Sequence, residues 1–202
     1  MKRFILSIIF IVSSIISFGQ NDSIYNDYNN IYNQEYMFNN ETYFEFGLGG
    51  LIPSDDSNSF FAVDLELGKY INKYVGIGLN LKIGQESEYH DRLGYVGPKV
   101  RFRVNPNPRN ILDLDLYAGF GYGWYDYNLD GGYYDYYYDY YYDNYKTMSY
   151  VVPNIGVIGY LNIGKFVSIG IEPAYYWYIS TNKDESENVG VFNIVGKLRF
   201  RF

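Results

Sequence analysis

The sequence predicts an all-β protein, namely an eight-stranded antiparallel transmembrane up-and-down β-barrel with an apolar exterior and a charged, side-chain-filled lumen. Apolar and polar residues alternate in eight successive windows, the period of a strand with two unlike faces. The windows are about 9 to 14 residues long, whereas globular strands usually have about 5 or 6 residues and a tilted membrane-spanning strand needs about 9 to 11. With 27 Tyr and 21 Gly, the composition also favours sheet over helix.

The eight windows cover the chain from Thr42 to Phe202. In the first window, Phe44 and Leu48 share one face, and Glu45 lies on the other. No charged residue falls on the apolar face of any window. In chain order the windows are TYFEFGLGGLI (42–52), FFAVDLELG (60–68), VGIGLNLKIG (75–84), VGPKVRFRV (96–104), LDLDLYAGFGYGW (112–124), VVPNIGVIGYL (151–161), FVSIGIEPAYYWYI (166–179) and FNIVGKLRFRF (192–202).

The apolar faces could point into a soluble barrel of lipocalin type or outwards into lipid. Glycine is abundant on the polar faces, which suits a crowded lumen and makes a poor solvated surface. The apolar faces carry bulky aromatic residues at both ends, and a tapering interior could not easily hold them. We therefore expect the apolar faces to contact lipid and the polar faces to line the lumen.

The charges on the polar faces complement one another. A hairpin at NPNPRN (105–110), centred near residues 107 and 108, would place Arg103 opposite Asp113 and Arg101 opposite Asp115. These pairs predict an ion-pair network inside the lumen.

Closure of the barrel predicts further ion pairs. It would bring Arg199 and Arg201 on the last strand beside Glu45 on the first strand and Glu172 on the seventh. The predicted lumen network comprises Glu45, Asp64, Glu66, Lys82, Lys99, Arg101, Arg103, Asp113, Asp115, Glu172, Lys197, Arg199 and Arg201.

The chain begins with MKRFILSIIFIVSSIISFGQ, which has the features of a secretory signal peptide. Lys2 and Arg3 precede an apolar stretch from Phe4 to Ile16, and Ser17 and Gly19 are small residues before a cleavage point. The predicted organisation is a signal peptide at 1–19, a loosely ordered N-terminal extension at 20–41 and the outer-membrane barrel at 42–202.

The charge and cysteine content exclude several classes. A formal net charge of −7 and a pI of about 4.7 argue against a nucleic-acid partner, which requires a basic surface. Without cysteine, we expect no lipoprotein anchor, disulfide or thiol chemistry. No cofactor is expected, because no phosphate-binding glycine motif or Cys/His cluster occurs.

The connections between windows fall into two sets. KYINKY, NPNPRN and NIGK are short and carry Lys69, Lys73, Arg109 and Lys165 without an acid. The connections PSDDSN, QESEYHD, STNKDESEN and a tyrosine-rich stretch carry many acids. Because short turns lie on the side of the termini in such barrels, we expect the acidic set on the outer face.

The C-terminal VGKLRFRF, together with the signal peptide and the eight windows, resembles the small outer-membrane β-barrel family of OmpA-barrel or OmpX type. The resemblance covers about residues 42–202 and implies a porin-like barrel in the outer membrane of a Gram-negative envelope, in contact with outer-membrane lipid. It also implies an assembly signal that the barrel-assembly machinery reads, matched here by Gly196, Leu198, Phe200 and Phe202.

The tyrosine-rich stretch NLDGGYYDYYYDYYYDNY (128–145) lies in the longest connection, and the loop at 125–146 is a candidate site for a surface ligand. Tyrosine provides a large contact area at little cost in entropy. The flanking strands could extend past the membrane as a hairpin that turns at Asp130-Gly131-Gly132. A low-complexity extension without a binding role remains the alternative.

A calcium site is a further hypothesis for the start of this loop. Asp126, Asn128 and Asp130 match the opening of a calcium loop, in which alternate oxygens surround the ion. The match then fails, because the twelfth position is Tyr137 and not a bidentate Glu.

The sequence therefore indicates a non-enzymatic outer-membrane protein with an envelope-structural or surface-contact role. A narrow porin-like channel for small solutes or ions is the alternative. A lipid-modifying barrel enzyme is a third hypothesis and depends on His90, which lies near Ser87, Glu88 and Asp91. A catalytic triad is defined by its geometry, however, and four residues of one loop satisfy that geometry poorly.

Overall fold

The protein is a closed barrel of eight antiparallel strands in the computed structural model, which describes residues 41–54, 58–86, 91–106, 111–128, 145–181 and 188–202. This confirms the predicted fold class. The strands are β1 (Thr42–Pro53), β2 (Phe60–Tyr70), β3 (Val75–Gln85), β4 (Arg92–Arg103), β5 (Leu112–Asn128), β6 (Tyr145–Asn162), β7 (Val167–Ser180) and β8 (Val189–Arg201).

Each strand pairs with its neighbours in sequence, and β1 pairs with β8 to close the barrel. Tyr43 lies opposite Arg201 at this seam. The amide of Phe202 donates to the Thr42 carbonyl at 2.8 Å, and the Thr42 amide donates to the Phe202 carbonyl at 3.2 Å. The backbone of the last residue therefore completes the seam.

The hairpin of β5 and β6 is longer than the sequence windows predicted. It pairs without interruption from Leu112 and Leu161 to Asn128 and Tyr145. The turn proposed at residues 130–132 falls within residues 129–144, which lie outside the described residues, so it stays a prediction.

The pairing of β4 with β5 corrects the predicted partners of Arg103 and Arg101. Arg103 lies opposite Asp115 and not Asp113, and Arg101 lies opposite Tyr117 and not Asp115. The Val104 amide donates to the Leu114 carbonyl at 2.8 Å beyond the strand end, so the register differs by two residues from that of a turn centred at 107 and 108.

The exterior of the barrel is apolar. Leu79, Val100, Phe120, Ile155 and Ile171, which lie on different strands, each expose half or more of their side chains. Exposed aromatic residues lie at both ends of this belt, namely Phe61, Tyr122, Trp177 and Phe192 towards the long connections and Phe44, Tyr74, Phe102, Phe166 and Phe202 towards the termini. An apolar band between two aromatic girdles matches a bilayer.

The interior is crowded, and glycine makes room for large side chains. A Cβ atom on Gly156 would lie 2.6 Å from the ring of Tyr117 on the neighbouring strand. A Cβ atom on Gly68 would collide with the ring and hydroxyl of Tyr43. Glycine is therefore needed at these positions because a ring from the adjacent strand covers the backbone.

Within the described residues, no helix is long and apolar enough to cross a membrane.

A charge in the middle of the apolar belt should destabilise the barrel. Leu79 and Ile71 are each 58% exposed, but Leu79 lies at the centre of β3, and Ile71 lies in the turn after β2. We expect Leu79→Arg to lower the free energy of unfolding in vesicles by about 2–4 kcal/mol and Ile71→Arg by about 0–1 kcal/mol. Denaturant titration of both variants measures this difference. Equal costs would show that the exterior does not contact hydrocarbon.

Candidate functional site

The barrel interior contains a continuous ion-pair network, which we call the ionic core. Its members alternate with outward apolar residues on their strands, so strand geometry alone turns them inward. All of its members are almost completely buried. The ionic core consists of Glu45, Asp64, Glu66, Lys82, Lys99, Arg101, Asp115, Glu172, Lys197 and Arg199.

Lys197 lies at the centre of the ionic core and contacts four carboxylates. Its Nζ is 2.6 Å from Glu172, 3.0 Å from Asp64, 3.2 Å from Glu45 and 3.5 Å from Glu66. These acids come from β1, β2 and β7. A single ammonium group therefore ties β8 to its two neighbours, β7 and β1, and to β2.

Two further lysines neutralise the same acids. Lys82 Nζ is 3.0 Å from Asp64 and 3.3 Å from Glu172. Lys99 Nζ is 2.9 Å from Glu66 and 3.5 Å from Glu172. Glu172 thus contacts three lysines, which compensates for the cost of burying its charge.

Two arginines bridge the barrel next to the lysines. Arg101 Nη2 is 2.6 Å from both Glu45 and Glu66. Arg199 donates from Nε to Glu45 at 2.7 Å and from Nη2 to Asp115 at 2.6 Å. The predicted neighbours Arg199 and Glu45 thus lie together at the β1–β8 seam.

The end of the barrel near the termini holds a second group of charges. Arg103 contacts Glu41 at 3.2 Å and Asp115 at 3.7 Å. Arg201 lies 4.0 Å from Asp113 and donates to the Gly164 carbonyl at 2.8 Å. The expectation that Arg201 lies beside Glu45 and Glu172 is therefore wrong, because β8 carries it past them to the rim. Glu41 was not among the predicted residues.

Most of the tyrosines that fill the lumen were not predicted from the sequence. Arg199 stacks over Tyr160 at 3.6 Å, Arg103 over Tyr70 at 3.9 Å and Lys99 over Tyr117 at 4.0 Å, measured to the ring centroids. The buried tyrosines are Tyr43, Tyr70, Tyr95, Tyr117, Tyr150, Tyr160, Tyr176 and Tyr178. The signal was their position in the alternation, since they occupy the same face of each strand as the buried charges.

The opposite end of the lumen, where the long connections begin, is closed by an apolar cluster that we call the outer plug. It contains Leu51, Phe60, Leu93, Tyr150, Val152, Tyr178 and Val191. Tyr150 and Tyr178 pack edge to face with ring centroids 5.6 Å apart. A small cavity of about 70 Å³ lies beside the plug and is bounded by Pro53, Phe60, Leu93, Tyr125, Tyr150, Tyr178, Val189 and Val191.

The structure describes only part of the predicted calcium site and does not describe the histidine of the lipid-modification hypothesis. Asp126 lies in β5 and accepts a hydrogen bond from Thr147 Oγ1 at 2.6 Å. Asp130 and His90 lie outside the described residues, so the calcium and lipid-modification hypotheses stay predictions. No group of three or more His, Asp or Glu side chains suited to a metal occurs in the part of the chain that the structure describes.

The four residues of the predicted assembly signal share the outward face of β8. Gly196, Leu198, Phe200 and Phe202 alternate with the inward Lys197 and Arg199. Phe200 stacks on Phe44 of β1 with ring centroids 6.4 Å apart.

Removal of the central ammonium group tests the ionic core. Lys197→Met would leave four carboxylates around an apolar chain, so we expect the free energy of unfolding in vesicles to fall by about 3–5 kcal/mol, less where water enters the lumen. The double variant Lys197→Met/Glu172→Gln should recover part of this loss, because it removes one of the stranded charges. Arg201→Met is the control, with a smaller loss expected at the rim. Unchanged stability in Lys197→Met would contradict the role of the network.

Comparison with known proteins gives a fold and no sequence family. No protein-family model and no curated protein matches the chain. The crystal structure of Neisserial surface protein A matches 81% of this chain and 97% of its own, with 13% identity and a TM-score of 0.58. A second match is the crystal structure of Ail, the attachment invasion locus protein of Yersinia pestis, in complex with the heparin analogue sucrose octasulfate. It covers 81% of this chain and 99% of its own, with 15% identity and a TM-score of 0.51. With its apolar belt outside and its charges inside, this chain has the fold of the small outer-membrane β-barrels, and the outer membrane is the location for which that exterior is built.

Proposed function

We propose that the protein is a non-enzymatic surface protein, a rigid barrel that anchors acidic and tyrosine-rich connections at the outer face of the membrane for contact with partners. The filled interior carries this proposal. An eight-stranded barrel leaves just enough interior space for its own side chains. Here that space contains the ionic core, the buried tyrosines and the outer plug, so the function belongs to the exposed outer end.

The charge balance of the interior argues against the channel alternative. Among the described residues, the interior ion pairs join seven acids to seven bases. A passing ion would have to displace partners held at 2.6 to 3.0 Å and then cross the outer plug. Steady flux of solutes or ions is therefore not the function that the interior favours.

The β5–β6 hairpin provides the surface that we propose for contact. These strands have 17 and 18 residues, compared with about 9 to 11 for a membrane crossing. Tyr125 and Tyr127 stack at its outer end with ring centroids 6.0 Å apart. Tyrosine tolerates both water and apolar contact, which suits a binding surface.

The charge of the outer connections indicates the class of partner. Ail was solved with a sulfated ligand, but a polyanion would be repelled here. The outer connections contain Lys183 as their base, and their acids are Asp55, Asp56, Glu86, Glu88, Asp91, Asp130, Asp135, Asp139, Asp143, Asp184, Glu185 and Glu187. We therefore propose basic or neutral partners, since complementary charge steers association.

Replacement of residues 130–144 by a short Gly/Ser linker tests the surface role. We expect cells that display the variant to lose adhesion to polylysine-coated surfaces, while heparin-coated surfaces bind neither form. The matched control changes Asp130, Asp135, Asp139 and Asp143 to Asn, which keeps every tyrosine and separates charge from aromatic contact.

Conductance in planar bilayers distinguishes the surface role from the channel. We expect no steady single-channel steps from the wild-type protein or from the loop replacement. Steady steps together with unchanged adhesion would replace the surface role by a narrow channel.

We further propose that the outward face of β8 is the signal read by the barrel-assembly machinery. Phe202 is 67% exposed and Phe61 is 62% exposed, which makes Phe61 a matched control. We expect Phe202→Ala to lower the amount of assembled barrel in cells without changing refolding of the purified protein into vesicles, whereas Phe61→Ala should change neither. Normal assembly of Phe202→Ala, or of a chain that lacks Phe202, would contradict the signal.

A further inference from the structure

We propose that the cavity at the outer plug is a binding site for a small organic cation that carries methyl or methylene groups, of the alkylammonium class. The cavity volume is about 70 Å³. Since one water needs about 10–15 Å³ by such a measure, the space accepts a group of several heavy atoms and excludes a whole lipid.

Aromatic rings form half of the cavity lining. Phe60, Tyr125, Tyr150 and Tyr178 line it together with aliphatic residues. The rings hold each other in place. Phe60 and Tyr125 pack edge to face with ring centroids 6.2 Å apart, and Tyr150 and Tyr178 do so at 5.6 Å. Several aromatic rings around one small space form the arrangement that binds quaternary ammonium groups through cation–π attraction.

The tyrosine hydroxyls are directed to acceptors of the protein itself. Tyr178 donates to the Gly94 carbonyl at 3.3 Å, and Tyr150 lies 3.3 Å from the sulfur of Met148. Tyr125 donates to Asp91 Oδ2 at 2.6 Å. The lining therefore offers a ligand its ring surfaces rather than free hydroxyls, which favours an alkylated cation over a sugar.

Carboxylates lie at the rim of the cavity. Asp91 is one hydrogen bond away from the lining through Tyr125. Glu86 is buried and accepts from Asn58 Nδ2 at 2.7 Å, and its amide donates to the Asp91 carbonyl at 2.9 Å. Arg92, an exposed residue at the outer end of β4, carries the opposite charge to these two carboxylates.

The balance of charge at this end still favours a cation. The four outer connections, which the barrel topology brings to one end, carry many carboxylates and a single lysine. Arg92 and Lys146 at the outer strand ends and Lys183 are fewer than the carboxylates there, and a mouth of net negative charge raises the local concentration of cations. The aromatic lining supplies selectivity, and the acidic mouth supplies attraction.

The test compares choline with its neutral isostere 3,3-dimethylbutan-1-ol on the purified barrel. A non-ionic glucoside detergent is required, because choline and amine-oxide detergents would compete. By saturation-transfer NMR and calorimetry we expect saturable choline binding, at least tenfold tighter than that of the alcohol. Equal binding of both would overturn the cation site and leave an apolar cavity, and no saturable choline binding would overturn the proposal entirely.

Two variants locate the binding. Tyr150→Leu keeps an apolar wall without its ring and should weaken choline at least tenfold, while the lipid-facing Tyr122→Leu should leave it unchanged. Asp91→Asn should weaken choline binding severalfold without affecting binding of the alcohol. Because it leaves the outer plug unchanged, this variant still tests the site if Tyr150→Leu fails to fold. Unaltered choline binding in Asp91→Asn and in folded Tyr150→Leu would place the ligand elsewhere and overturn the assignment. Adhesion is not part of this readout, so the cation site and the surface-contact role can fail independently.

Discussion

The closure of eight strands is the constraint on which the rest of this structure depends. Closure leaves no free sheet edge, so each strand has a hydrogen-bonding neighbour on both sides and the exterior can be apolar. It also encloses every second side chain in a space that those side chains must fill. The ionic core and the buried tyrosines result from that enclosure, because polar residues that alternate with a lipid-facing set have no other direction in which to point.

The charges of the ionic core can be buried because several of them have more than one partner of opposite charge. A buried charge with one partner loses more in desolvation than it regains, whereas several good contacts can compensate. Glu172, Glu45 and Lys197 each have three or more oppositely charged neighbours. Lys99, Arg103 and Arg199 also stack on tyrosine rings, which adds to the compensation that their carboxylate partners provide for lost hydration.

The two ends of the barrel differ in character. The end at the termini is ionic and contains Arg103, Glu41, Arg201 and Asp113. The outer end is apolar and aromatic inside and acidic at the rim. This asymmetry is our reason for proposing recognition at the outer end, where an apolar cavity lies below the carboxylate-rich connections, and for assigning stability to the ionic core in the middle of the barrel.

The sequence by itself determined the strand number, the orientation of each face and the identity of nearly all interior charges, because a period of two depends on local order alone. Which charges meet depended on the tertiary structure. The register of β4 and β5 differs by two residues from the predicted one, so Arg103 pairs with Asp115. Arg201 lies near the end of β8, away from Glu172. Lys197 has four partners on three other strands, and no local pattern specifies contacts between strands. The outer plug could not be predicted from the sequence for the same reason, because its residues come from strands whose ends meet only when the barrel closes.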